Sequence, residues 1–254
     1  MQEFEDQLGR RIRVNYPPQR IISLVPSQTE LISALGALPR LVGRTKFCIH
    51  PAEMSHTSVI GGTKNFHLDK IDALQPDLIV ANKEENDQSQ VLQLAGKYPV
   101  WVSDVKNLST ACQMIRGIGK VIGTDSEAAS LARKIESGFP KTPAVTASAL
   151  YIIWKDPWMA AGCDTFISSM MPYAGFSNVL TDIRYPQLDV LRLRELNPDY
   201  VLLSSEPYPF KEKHVEEMRK LLPNSTVKLV DGEMFSWYGS RLLNAMEYFR
   251  TFRK

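Results

Sequence analysis

The sequence predicts an α/β protein of two similar lobes, each built on a mostly parallel central sheet, with a long helical bridge joining them. Three observations predict it. Short apolar runs of strand length alternate with stretches of helical spacing towards both ends of the chain. A middle stretch, residues 107–138, carries helical spacing alone. A phrase of helix, Leu, x, Pro, Asp and buried strand recurs 122 positions on, placing Ile71, Leu74, Pro76, Asp77, Ile79 and Val80 on Leu193, Leu196, Pro198, Asp199, Val201 and Leu202. The expected division is a first lobe at 1–104, a bridging helical segment at 105–139 and a second lobe at 140–254, with the Pro-rich stretch 139–143 as the boundary.

The elements follow in order. Residues 20–25, RIISLV, form a short apolar run ended by Pro26, the pattern of a buried strand. A helix is expected over 29–38, with Ser27 as its N-cap, Glu30 in its first turn and Gly36 near its end. Strands are expected at 41–44, 77–81 and 100–103, and helices at 68–74 and 86–97. Pro76 stops the helix before it, because proline disfavours helical geometry in the preceding residue. In the middle, Leu108, Met114, Ile115, Ile118, Val121 and Ile122 share one helical face. Gly123 and Thr124 break it, and a second helix starts at Asp125 or Ser126. Beyond the boundary, strands are expected at 149–154, 200–204 and 227–230, and helices at 164–173 (closed by Gly175), 191–196, 214–222 and 240–252.

Composition removes several function classes. The 254 residues hold 30 Lys+Arg against 28 Asp+Glu, a net charge of +2, without the basic excess of a nucleic-acid binder. No apolar run reaches the roughly 18 residues of a membrane span. The opening MQEFEDQLGRRIRV is charged from its third residue and lacks the apolar stretch of a secretory signal. Cys48, Cys112 and Cys163 are far apart and read as free, mostly buried thiols, which favour a reducing compartment. GxSxG, GxxxxGK[ST] and HExxH are absent, and Gly117, Gly119 and Gly123 lie inside a helical pattern, where a dinucleotide fingerprint does not belong. The histidines are His50, His56, His67 and His214; Cys48, His50 and His67 are close enough in sequence to share a site, but loop residues without a metal are the expectation.

Aromatic and polar residues gather in the loops after the expected strands. The first lobe offers Phe47, His50, Lys64, Asn65, Phe66, His67, Asn82, Lys83, Glu84, Glu85 and Asn86. The second offers Trp154, Lys155 and Trp158, then Glu206, Tyr208 and Phe210, then Glu233, Phe235, Trp237, Tyr238 and Arg241. Open α/β sheets bind ligands beyond the carboxyl ends of their strands. Large rings there either make a flat binding platform or cap the lobe's own core, and the concentration in the second lobe favours the platform.

The phrases RIISLVPSQTELISALGA, LVGRTKFCIHPAE and IGGTKNFHLDKIDALQPDLIVAN resemble the periplasmic binding proteins of the vitamin B12 and iron-siderophore type. So do the Gly162–Ile167 segment, GFSNVL, RYPQLDVLRLRELNPDYVLLSSEP and the last strand leading into SWYGSR. The resemblance implies two α/β lobes bridged by a rigid helix with the ligand cleft between them. It implies a monomeric receptor that captures a metal chelate for an ABC importer permease in the periplasm, with no signal in this chain and a cytoplasmic location as the alternative. In that family an acidic residue ahead of each LxPD phrase docks onto permease arginines. Here that position is Asp69 in the first lobe; in the second it falls on Leu191, leaving Asp189 and Glu195 as neighbours. Phe47 fits a pocket aromatic of the B12 receptors, whereas Thr63 and Asn82 stand where tryptophans are expected, so the ligand need not be cobalamin.

The expectation is therefore a solute-binding protein, not an enzyme. Phe47, Trp154, Trp158, Tyr208, Trp237 and Tyr238 would contact a corrinoid, siderophore or heme-like chelate, with His50, Lys64, Lys83, Glu84, Glu206 and Arg241 on its polar rim. Asp69 and Asp189 would serve permease docking. No cofactor is expected, cobalt or iron arriving only inside the ligand, and no resident metal or nucleic acid. The alternatives are a direct metal-ion receptor using His50, His67 and acidic loop residues, and a cytoplasmic metal-chelate chaperone or enzyme of the same fold.

Overall fold

The computed structural model describes residues 1–141 and 143–253, the side chains of Ser55 and Arg253 aside; Thr142, inside the expected boundary, lies outside the described residues. Two compact units emerge. One comprises Met1–Val105, Ser109–Ser137 and Tyr238–Arg241; the other comprises Lys106–Leu108, Gly138–Trp237 and the chain from Leu242 onward.

The first unit opens with a hairpin, β1 (Gln2–Glu5) against β2 (Arg11–Val14). A stretch that the sequence shows only as a charged start thus pairs as two strands. Its strands are short and polar on one face, and Asp6 braces the turn: Oδ1 accepts from the Leu8 and Arg10 amides, while Oδ2 takes Arg10 Nη2 at 2.7 Å and the Val102 amide at 3.2 Å. Then come β3 (Ile21–Ser23), α1 (Pro26–Ala34), β4 (Leu41–Arg44), β5 (Ser58–Val59), α2 (Leu68–Leu74), β6 (Leu78–Asn82), α3 (Gln88–Ala95) and β7 (Val100–Ser103). The five-stranded sheet is parallel throughout, in the order β5-β4-β3-β6-β7. β6 and β7 are buried along their whole length, as parallel strands covered on both faces must be. α1 starts earlier than expected. Pro26 has the backbone geometry that suits a first helical position, so Val25 is the N-cap and Ser27 lies inside the helix, correcting its expected capping role.

The middle segment forms two helices, α4 (Leu108–Ile122) and α5 (Asp125–Gly138), split at the expected Gly123. Gly123 holds φ +76°, and a Cβ there would stand 3.1 Å from Pro17. Gly119 has a different purpose: its bare Cα lets α5 approach so closely that an added Cβ would lie 2.1 Å from Ala128 Cβ.

The second unit's sheet is built on β8 (Ala147–Trp154), β12 (Tyr200–Ser204) and β13 (Thr226–Val230), parallel and in register. Three short strands extend it: β9 (Trp158–Ala160) pairs antiparallel with β8, β11 (Gln187–Leu188) pairs antiparallel with β9, and β10 (Phe176–Asn178) pairs with the start of β8 in parallel. The helices are α6 (Phe166–Met170), α7 (Val190–Leu196), α8 (Glu212–Leu221), α9 (Gly232–Ser236) and α10 (Leu242–Arg250). The expected helix over 164–173 is a short α-turn followed by a 3-10 turn, Met171–Ala174, closed by Gly175 at φ +93°.

The recurring phrase has a structural meaning. α2 and α7 both end on a left-handed residue, Gln75 at φ +44° and Asn197 at φ +37°. Each following aspartate pins the entry of the neighbouring strand. Asp77 accepts from the Gln19 and Arg20 amides at 2.7 and 2.8 Å ahead of β3; Asp199 accepts from the Ser148 amide at 2.8 Å in β8.

Candidate functional site

In the first unit, β3 and β6 lie side by side while their onward connections run to opposite edges of the sheet. Such a switch point opens a crevice beyond the carboxyl ends of the two strands. The base of this face is a buried amide network. Asn86 donates to Leu24 O at 3.2 Å and Thr63 O at 2.9 Å and accepts from the Asn82 amide at 2.8 Å. Asn82 in turn accepts from the Glu84 and Glu85 amides and donates to Ser103 Oγ at 2.9 Å. Asn82 and Asn86 are buried, so they shape the loops and do not reach a ligand. Phe66 is likewise buried, so of the two roles open to a strand-end ring it takes the core one.

Above this base is a hollow of about 420 Å³ lined by Lys46, Phe47, Gly62, Lys64, Asn65 and His67, among others. Phe47 is 51% exposed, with Lys46 Nζ 5.0 Å from its ring centre. Lys64 Nζ donates to Glu84 O, and Lys83 pairs with Asp104 at 2.9 Å. His50, half-buried, does not line the hollow. Cys48 is fully buried, its sulfur 3.1 Å from the Thr29 and Thr45 hydroxyls, and burial pushes its thiol up, which favours the protonated form over a metal-binding thiolate. Among the described residues no group of three or more His, Cys, Asp or Glu is gathered as a metal site would require.

In the second unit the ends of β12 and β13 flank a hollow of about 550 Å³ lined by Ser205, Glu206, Phe210, Leu229, Asp231 and Glu233, among others. Glu206 Oε1 accepts from Ser236 Oγ at 2.8 Å and Trp237 Nε1 at 2.9 Å. Burial pushes the Glu206 carboxyl up, the neighbouring charges of Glu233 and Asp231 add to this, and the two hydrogen bonds oppose it. Gly232 allows the close approach, since a Cβ there would stand 2.4 Å from Ser204 Oγ and 2.6 Å from Glu206 Cγ.

The aromatic residues divide. Trp154 is 39% exposed and meets half-buried Tyr208 edge-on, with ring centres 5.5 Å apart. Trp158, in contrast, is buried in the unit's hydrophobic core, stacked on Phe210 at 6.1 Å, which corrects its expected platform role. Phe235 is fully buried, and Trp237 and Tyr238 are nearly so, at 7% and 4% exposure. Trp237 thus offers its indole N–H to Glu206 and no open ring face. Arg241 holds Glu30 through Nε and Nη2, both at 3.0 Å, with 10% of its side chain exposed; it is a structural ion pair in place of a rim contact. Asp69 is exposed in the first turn of α2. Asp189 is exposed too, but its carboxylate caps α7 by accepting from the Arg192 amide at 2.8 Å. Lys46, Gly62 and Asp231 escaped the sequence reading. The Gly61-Gly62 pair was the available signal, a tight turn at a strand-end loop.

The model of the periplasmic binding protein family matches residues 21–224. The chain belongs to that family. As a family member it is a solute-binding protein and not an enzyme. It is 26% identical to an uncharacterized ABC transporter substrate-binding lipoprotein, YvrC, of Bacillus subtilis, over 96% of this chain and 82% of that protein. It is 24% identical to the vitamin B12-binding protein of Pectobacterium carotovorum, over 91% of this chain and 86% of that one. In fold it is similar to the periplasmic vitamin B12 binding protein BtuF of Vibrio cholerae, with a TM-score of 0.78 at 20% identity, covering 93% of this chain and 96% of that chain. The apo periplasmic heme-binding protein RhuT from Roseiflexus sp. RS-1 is similar as well, with a TM-score of 0.77 at 20% identity, over 93% and 99%.

Proposed function

We propose that this family member captures a bulky metal chelate of the corrinoid, siderophore or heme class and delivers it to an ABC importer permease on the outer side of the cytoplasmic membrane. The carrying observation is the family match joined to a hollow of several hundred Å³ beyond the strand ends of each unit. Such volumes suit parts of a large ligand, where a free ion needs a compact set of fixed donors. The relatives named for vitamin B12 and the fold neighbours named for heme support the ligand class. Phe47, Trp154 and Tyr208 are the rings left open to contact it.

The test is a binding panel, followed by tryptophan quenching and calorimetry, of a corrinoid, a heme, ferric siderophores, and free zinc and ferrous ions. One-to-one binding of a chelate is expected, with Trp154→Ala weakening it by about tenfold, the equivalent of roughly 1.4 kcal/mol. Tight one-to-one zinc binding that disappears in a His50→Ala, His67→Ala double variant would overturn the reading in favour of an ion receptor.

A further inference from the structure

The first unit's hollow carries information about the chemistry of its occupant. Lys46 and Lys64 are both among its lining residues, Asn65 and His67 add polar side chains, and none of its lining residues is acidic. Its geometry is held from behind. Lys46 N donates to Gly61 O at 2.8 Å, Gly62 N donates to Asn65 O at 2.9 Å, and Asn86 fixes Thr63 O. Lys64 Nζ gives one hydrogen bond to a neutral carbonyl, Glu84 O, which leaves its other donors and its charge for a ligand. The Asp87 carboxylate feels Lys64 but is engaged with Ser89 Oγ and the Gln90 amide. Gly62 forms part of the wall: a Cβ there would stand 3.4 Å from Phe47 Cε2, so a larger side chain would enter the hollow. The exposed ring of Phe47 supplies a flat apolar contact beside the two cations.

Resting on the chelate reading above, we propose that this hollow selects an anionic chelate, taking a carboxylate- or catecholate-bearing edge of the ligand between Lys46 and Lys64, with a planar portion against Phe47. The selectivity is local. The whole chain carries a net charge of only +2, and the second unit's hollow has the opposite character, with Glu206, Asp231 and Glu233 in its wall. Two lysines on a preorganised wall attract negative charge with a salt dependence that a purely aromatic contact lacks.

The experiment measures affinities of the full chain by calorimetry at two ionic strengths. The probes are hemin, its propionate dimethyl ester, an anionic ferric tris-catecholate and a neutral ferric tris-hydroxamate. At least one anionic probe should bind tenfold or more tightly than its neutral counterpart, and more weakly at high salt. Lys46→Gln with Lys64→Gln should remove that advantage and leave the neutral probe within about twofold; both side chains are exposed, so the fold should persist, which circular dichroism checks. A Gly62→Val variant should weaken the anionic probe as well. Equal affinities for anionic and neutral probes, a preference for the neutral one, or an unaffected double variant would each overturn the inference while leaving a chelate receptor standing. Failure of every chelate to bind would overturn the chelate reading, and this inference with it.

Discussion

At Glu206, burial and neighbouring charge act against hydrogen bonding, and burial prevails: the carboxyl is held above its ordinary range although Ser236 and Trp237 both donate to it. The consequence for stability has a definite sign. Below the ordinary glutamate range, near pH 4, the group is protonated folded and unfolded alike and costs nothing. As pH rises past it, the unfolded chain releases the proton while the folded one retains it, so stability falls until the folded pKa is passed. Glu206→Gln cannot titrate and keeps an acceptor for the Trp237 indole. Its melting temperature relative to the unsubstituted chain should therefore improve as pH rises above the ordinary glutamate range and level off once the folded carboxyl ionises. A difference that stays flat as pH rises from 4 would show that the carboxyl is unperturbed. The sequence placed Glu206 in a strand-end loop, but its second neighbours, Asp231 and Ser236, arrive from beyond the next strand and were invisible as partners.

Among the elements, the α4–α5 pair shows how spacing and contact contribute different information. The helical faces and the break at Gly123 were legible because periodicity and a glycine that interrupts it are local properties. The reason for Gly119 was not, because Ala128 meets it only once the helices pack. Gly119→Ala sets two effects against each other. Helix propensity would stabilise by about 1 kcal/mol. Overpacking of a buried backbone contact costs about 1–3 kcal/mol, and at 2.1 Å between Cβ atoms neither helix can yield by a side-chain rotation alone. Urea unfolding should show net destabilisation. Gly138→Ala, whose added Cβ has the movable side chain of Met246 as its nearest neighbour, serves as the contrast and should cost less than Gly119→Ala. Stabilisation by Gly119→Ala would mean that the two helices separate more easily than this packing implies.

For the molecule as a whole, transport requires a partner as well as a ligand, and the two halves of the repeat present different groups there. α2 shows Asp69 to solvent in its first turn; the corresponding position of α7 is Leu191, 70% exposed, while Asp189 is engaged as the cap. Asp69 is thus the cleaner probe of docking, since replacing a cap costs roughly 0.5–2 kcal/mol in its own right. Asp69→Arg should slow association with the cognate permease in reconstituted vesicles several-fold, most strongly at low salt, with ligand affinity unchanged. An unaltered association rate at every ionic strength would remove Asp69 from the docking surface.

The sequence by itself determined the alternation of strand and helix, the recurring Pro-Asp phrase that closes α2 and α7, and the loops in which a site could lie. These depend on periodicity, on backbone restrictions at proline and glycine, and on neighbours close in the chain. Only the tertiary structure decided which loop residues are available. Trp154 and Trp158 sit four positions apart, yet one is half open and the other stacks on Phe210 in the core. Trp237 reads as a platform ring and Arg241 as a rim residue until Glu206 and Glu30, distant in sequence, take up their donors. Composition can bring an aromatic or a charged residue to a strand end. Whether it faces water is set by partners that reach it only when the chain has folded, and the free energy of burying a ring or pairing a charge makes that choice.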